Sequence, residues 1–120
     1  MKTKNANPAG FTLVEIMIVV AIIGMLATLA IPNFMKSREQ AYKTGCLNNL
    51  HQIDGAILTW ALELKKDTGQ PVTYQDIKDY LRNSVICPSG GQSFADSYTL
   101  TTVDARPTCQ RRPDTHQLPL

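Results

Sequence analysis

Two hydrophobic patterns follow one another along the chain. From Phe11 to Ile31 lie 21 residues, and one of them, Glu15, is charged. A helix built from this run has no polar face, and at ~1.5 Å per residue it spans roughly 30 Å, the thickness of a bilayer hydrocarbon core. After Pro32 the pattern becomes amphipathic. Cys46, Leu50, Ile53, Ile57, Trp60 and Leu64 follow at spacings of 4, 3, 4, 3 and 4, which is a helical stripe. Leu47, Leu58, Ala61 and Leu62 widen it, while Asn48, Gln52, Thr59, Glu63 and Lys66 take the other side. A stripe of that width predicts contact with more than one surface. The two patterns join into one helix from about Thr12 to Lys66, about 80 Å long, capped near Gly69 with Pro71 just beyond. Within it, Pro32 has no N–H to donate to Thr28 and Gly24 weakens the helix by about 1 kcal/mol, so the two bracket a stretch able to bend.

Beyond Pro71 the elements are short. Thr73-Tyr74-Gln75-Asp76 has the form of a capping box with Asp in place of Glu or Gln. It opens a helix to about Arg82, with Ile77 and Leu81 facing inward. Cys87-Pro88-Ser89-Gly90-Gly91 is a turn-rich loop. Ser97–Val103 is rich in β-formers and alternates, Asp104–Pro107 reads as a turn, and Thr108–Arg111 as a returning strand. The tail from Arg112 to Leu120 is polar, contains two prolines and reads as loosely held. The predicted fold class is α+β: a long N-terminal α-helix, transmembrane in its first half and amphipathic in its second, packed on a small antiparallel β-sheet.

Composition narrows the function. At 120 residues the chain allows one small domain besides the apolar helix. The formal charge is +2, but Lys2 and Lys4 sit ahead of the apolar run in Met1–Gly10, so removal of that leader leaves a chain near neutral. This argues against a nucleic-acid partner, which needs a basic surface. A secretory signal is cut behind its apolar region. Here the small residue abutting the run, Gly10, precedes it. Cleavage there keeps the apolar helix as the mature N-terminus; an uncleaved single-pass anchor is the alternative.

Gly10-Phe11-Thr12-Leu13-Val14-Glu15, with the apolar run behind it and Pro32 as the twenty-second residue from Phe11, closely resembles the prepilin signature. Type IV pilins, type II secretion pseudopilins and competence pseudopilins share it. The resemblance implies a pilin-like fold in three parts: leader 1–10, transmembrane and filament-core helix 11–32, and amphipathic continuation plus head domain 33–120. It implies cleavage after Gly10 by a prepilin peptidase, N-methylation of Phe11, and storage in the inner membrane with the head on the periplasmic or extracytoplasmic side. It further implies assembly with identical or related pilin subunits through an inner-membrane platform, and loss of helix between Gly24 and Pro32 on assembly. Glu15 is the implied assembly residue, pairing with the α-amino group of a neighbour's Phe11. Cys46-x-Asn48, Trp60-Ala61-Leu62-Glu63, Cys87-Pro88-x-Gly90-Gly91 and Pro107-Thr108-Cys109 resemble a group of short pilin-like proteins. The acidic, Trp- and Gly-containing calcium loop of major type II pseudopilins has no counterpart here.

Three cysteines, Cys46, Cys87 and Cys109, permit one internal bridge. In the oxidising compartment where the head is expected, Cys87–Cys109 is the preferred pair; Cys46–Cys87 and Cys46–Cys109, which staple the sheet to the helix, remain open. The cysteines with His51 or His116 are the right types for a metal, but they lack the close C-x-x-C spacing of zinc motifs, so no metal or other cofactor is assigned. Ser89 has no base beside it in the pattern, and His51 reads as a solvated helix residue, so no catalytic group is assigned and the protein is expected not to be an enzyme. Arg106, Arg111, Arg112 and His116 form a basic group without interleaved aromatics, read as a solvated tail. The expected function is a structural filament subunit of a type IV pilus or type II secretion filament. A DNA-uptake pilin and a non-assembling membrane-tethered binding module are the alternatives.

Overall fold

Helix α1 runs from Leu13 to Glu63 and passes through Pro32 without ending. The structure, a computed structural model, describes residues 10–119; the expected leader, apart from Gly10, lies outside the described residues. The chain forms two compact units, one up to Ser37 and one from Arg38 onward.

In the first unit every residue from Gly10 to Ser37 is exposed except half-buried Ala27. The apolar run in this part of α1 has none of its length buried. In water such a surface carries a large transfer penalty, at about 25 cal/mol for each Å² left uncovered. It is long and apolar enough to cross a membrane.

The second unit is built on one face of α1. Cys46, Leu50, Ile53, Ala56, Ile57, Trp60 and Ala61 are buried, as the stripe predicts up to Trp60. The stripe's edges behave differently: Leu58, Leu62 and Leu64 are exposed, so the head covers one face and leaves the widened part bare. The helix also ends earlier than expected. Lys65 adopts a left-handed conformation with φ 51°, and the Lys66 N–H donates to the Ala61 carbonyl at 2.8 Å. This six-to-one bond is a Schellman closure, so Lys65, not Gly69, is the residue that stops the helix.

From Gln70 the chain wraps the buried face in short pieces. Helix α2 is Tyr74–Ile77, continued by a 3₁₀ turn over Lys78–Tyr80. The Asp76 carboxylate accepts the Thr73 N–H at 2.9 Å and its Oγ1 hydroxyl at 2.8 Å, as the capping pattern predicts. Helix α3, Phe94–Ser97, is not read from the sequence, and it takes Ser97 from the start of the expected strand. Its start is a second such cap, with the Asp96 carboxylate accepting the Ser93 and Gln92 N–H groups. Tyr74 and Phe94 stack with centroids 4.4 Å apart, joining α2 to α3.

The sheet is smaller than expected. Strand β1 is Tyr98–Thr99 and β2 is Thr108–Cys109, antiparallel with Tyr98 opposite Cys109. The rest of the predicted outbound strand changes partner. The Thr101 carbonyl accepts the Val72 N–H and the Val103 N–H reaches the Gln70 carbonyl, both at 3.0 Å, so Leu100–Val103 pairs with the segment leaving α1. The tail is not loose. His116 is buried, and Leu118 packs against the core. The fold is α+β: a long N-terminal helix and a two-stranded antiparallel sheet sharing one core.

Lys65→Gly relieves the left-handed strain and is expected to stabilise the head by about 1 kcal/mol, read as a higher urea midpoint. The Asp76 and Asp96 carboxyls are held below the usual carboxylate range, first by the Thr73 and Ser93 N–H groups respectively. A carboxyl depressed in the folded state contributes stability that is full above its unfolded pKa, about 3.9, and is lost as pH falls through the lower folded value. The urea midpoint is therefore expected to fall below about pH 4, and Asp96→Asn to flatten that fall.

Candidate functional site

The N-terminal candidates meet at the first turn of α1. The Thr12 N–H donates to Glu15 Oε2 at 2.9 Å, and the Glu15 N–H donates to Thr12 Oγ1 at 3.2 Å. Thr12-Leu13-Val14-Glu15 is thus a reciprocal capping box, a second role for Glu15 that its T-x-x-E spacing signals and the sequence reading missed. The lone carboxylate in the apolar run is internally satisfied in the protomer, and it also lies at the positive end of the helix dipole. Phe11 is exposed beside it. Gly24 has open space where a Cβ would stand, and Thr28 Oγ1 donates to the Gly24 and Met25 carbonyls. These residues lie on one uncovered helix.

In the head, the structure gathers residues that sequence spacing keeps apart. Cys46 lies on α1, Cys87 in the loop before α3, Cys109 on β2 and His116 in the tail, and all four are buried. The Cys87 sulfur lies 3.6 Å from that of Cys109 and 4.0 Å from that of Cys46. His116 Nδ1 is 4.0 Å from the Cys109 sulfur. The three cysteines carry no S–S bond in this structure, the Cys87 and Cys109 sulfurs being 3.6 Å apart against a bond length of about 2.05 Å. Burial pushes the Cys46 and Cys87 thiols up. Burial, then the Arg112 and Lys43 cations, pulls His116 down.

The local chain is shaped to hold this cluster. The Cys87 N–H donates to the buried Ser97 hydroxyl at 3.0 Å, and the Gly91 N–H donates to the Cys87 carbonyl at 2.9 Å. A Cβ on Gly91 would stand 2.2 Å from Ser97 Oγ and 2.9 Å from that carbonyl, so the tight loop requires glycine there. On α1, Asn49 Nδ2 donates to the Ile86 carbonyl and to the Tyr98 hydroxyl, both at 2.9 Å. These bonds fix the loop and β1 against the helix turn that carries Cys46.

His51 is exposed and apart from the cluster. The basic group does not form a patch: Arg111 pairs with Asp96 at 3.1 Å, Arg112 with Glu39 at 3.7 Å, Arg106 bonds to the Pro119 carbonyl, and His116 is inside. An open cavity of about 430 Å³ between α1 and Tyr80–Arg82 has no nucleophile and base paired in its lining.

Fold and site together define a class: a helix long and apolar enough to cross a membrane, an acidic residue at its first turn, and a small α+β head. Residues 5–31 match the family described as the prokaryotic N-terminal methylation motif. The chain is 37% identical over 86 residues to the competence protein ComGC of Bacillus subtilis (strain 168), covering 70% of this chain and 85% of that protein. It is 32% identical over 89 residues to the type II secretion system core protein G of Pectobacterium carotovorum subsp. carotovorum, covering 74% and 55%. It is 50% identical over 52 residues to the type IV major pilin protein PilA of Myxococcus xanthus (strain DK1622), covering 42% and 24%. The chain spans about half the length of the secretion core proteins it matches, 55%, 47% and 59% of three of them. No solved structure gives a significant match. The chain belongs to the type IV pilin and pseudopilin family.

Gly91→Ala is expected to destabilise the head by roughly 1–3 kcal/mol, because neither Ser97 nor the Cys87 backbone has room to retreat. A urea unfolding curve of the full chain checks this.

Proposed function

We propose that this protein is a structural subunit of a type IV pilus or type II secretion filament, cleaved after Gly10, N-methylated on Phe11 and assembled through the apolar part of α1. The observation that carries the reading is an apolar helix with no burial of its own, directly behind the Gly10-Phe11 junction and inside the segment that matches the methylation motif. Such a surface needs a lipid or protein environment, and a membrane followed by a filament core supplies both in turn. The proposal places the protomer in the inner membrane with its head on the extracytoplasmic side. A prepilin peptidase, related pilin subunits and an inner-membrane assembly platform are its partners. It involves no catalytic step.

Glu15 gives the assembly its register. Cleavage frees an α-amino group on Phe11; such a group has a pKa of about 8 in water and is largely protonated at neutral pH. In the protomer the Glu15 carboxylate is held by the Thr12 N–H. That bond leaves acceptor capacity for a cation from a neighbour. In a low-dielectric filament core an unmatched charge is heavily penalised, so the pair favours one axial offset. Gly24 and Pro32 mark the stretch where the helix yields during packing.

The extensive match to a competence protein favours a second reading, a filament serving DNA uptake. The head contributes little to it by charge, since Arg111 and Arg112 are already paired with Asp96 and Glu39.

Glu15→Gln separates the two roles of that side chain, because it keeps the cap acceptor and removes the charge. The variant is expected to insert and be processed normally, its intact mass lacking Met1–Gly10 and carrying one added methyl group, yet to be missing from sheared filaments. Normal incorporation of Glu15→Gln overturns the charge pairing, and an uncleaved wild-type chain overturns the proposal as a whole.

A further inference from the structure

We propose that Cys46, Cys87, Cys109 and His116 are the four ligands of a structural zinc ion that locks the head domain together. Their ligand atoms all lie within 4.8 Å of one another. Zinc held tetrahedrally at about 2.3 Å from sulfur and about 2.0 Å from nitrogen needs ligand atoms roughly 3.6–3.8 Å apart. The sulfur separations of 3.6 and 4.0 Å and the sulfur–nitrogen separation of 4.0 Å sit within a few tenths of an ångström of those edges. Three thiolates and one imidazole, closed off from water, form the donor set of a structural site rather than a catalytic one.

The grouping accounts for more than a disulfide does. A Cys87–Cys109 bridge uses two of the four residues and leaves Cys46, fully buried, and His116, 2% exposed, beside it. Among the described residues the Nδ1 of this buried histidine faces the Cys109 sulfur. A metal engages all four. The surroundings hold the ligand-bearing segments in place. The Cys87 N–H donates to the Ser97 hydroxyl, and Asn49, about one turn beyond Cys46, donates to the Ile86 carbonyl and the Tyr98 hydroxyl. Hydrogen bonds of this kind orient ligands. Binding releases three thiol protons and leaves the site with one negative charge; the nearby charged groups are the Lys43 cation and the Arg112–Glu39 ion pair.

The fold needs such a tie. The four ligands come from α1, a glycine-rich loop, a two-residue strand and the tail, and one ion joins all of them. Gly45, next to Cys46, lets Pro88 approach to a distance at which a Cβ would meet its Cγ at 3.3 Å, bringing the Cys87 loop down onto the helix. A small head with little regular structure gains most from a metal staple.

The test uses the full chain, extracted from membranes in detergent without oxygen and without any thiol-blocking reagent; a separate portion is alkylated for mass analysis. Elemental analysis should find one zinc per chain. After metal removal under reducing conditions, cobalt(II) should restore the intense visible bands of a tetrahedral thiolate site, and an equimolar amount of zinc should bleach them. The discriminating variants are Cys46→Ser and His116→Ala, neither of which touches a Cys87–Cys109 bridge. Each should weaken cobalt binding by more than roughly tenfold and lower the unfolding midpoint to that of the chelator-treated wild type. Absence of stoichiometric metal overturns the proposal. So does an alkylated portion that carries a single adduct, on Cys46, and is otherwise about two mass units lighter than the fully reduced chain, since that is the bridged form.

Discussion

The face of α1 between Cys46 and Ala61 is the surface on which the head is assembled. Of the 14 buried apolar residues among the described ones, seven lie on this face; the others come one or two at a time from segments that form no extended element of their own. An isolated two-residue strand or four-residue helix is not stable in water. Each persists because one side of it is pressed onto the helix: Ile77 from α2, Phe94 from α3, Tyr98 and Cys109 from the sheet. Backbone groups are satisfied by side chains where ladders are too short, as with Asn49 at the Ile86 carbonyl and Asp104 at the Gly69 N–H. The helix therefore serves both as an element and as the template for the rest.

The N-terminal part of α1 has the opposite relation to its surroundings. None of its apolar window is buried among the described residues, so its stability depends on lipid or other chains. The chemistry of its first turn is economical. Glu15 caps the helix through Thr12, which reduces the penalty of carrying a carboxylate into an apolar environment, and in the proposed filament the same carboxylate selects a register. Membership of the pilin and pseudopilin family rests on this region and on the extended match to ComGC. The cysteine–histidine cluster belongs to the head and stands independently of it.

The regions where the sequence reading and the structure part company share a physical cause. Leu100–Val103 alternates as a strand should, but its hydrogen bonds go to Gln70 and Val72 rather than along the hairpin. Alternation reports a preference for extended backbone and does not name a partner. Propensity places the helix end at a glycine, whereas the bond from the Lys66 N–H to the Ala61 carbonyl closes the helix with Lys65 at positive φ. The polar composition of the tail suggests a loose end, yet one buried histidine and one half-buried leucine anchor it. A few long-range contacts outweigh composition when the segment is short.

Features that depend on near neighbours in the chain are legible without the fold. The length and apolarity of Phe11–Ile31, the stripe from Cys46 to Trp60 and the Thr73 cap are all periodic or local, and a helix repeats its environment every three or four residues. The prepilin signature is likewise contiguous. The Cys46, Cys87, Cys109 and His116 cluster is different, because successive members are 41, 22 and 7 residues apart. No ligand spacing marks it, and the absence of C-x-x-C spacing bears only on local motifs. The chain has to wrap α1 before those four side chains become neighbours, so tertiary structure alone decides that the head has a centre of this kind.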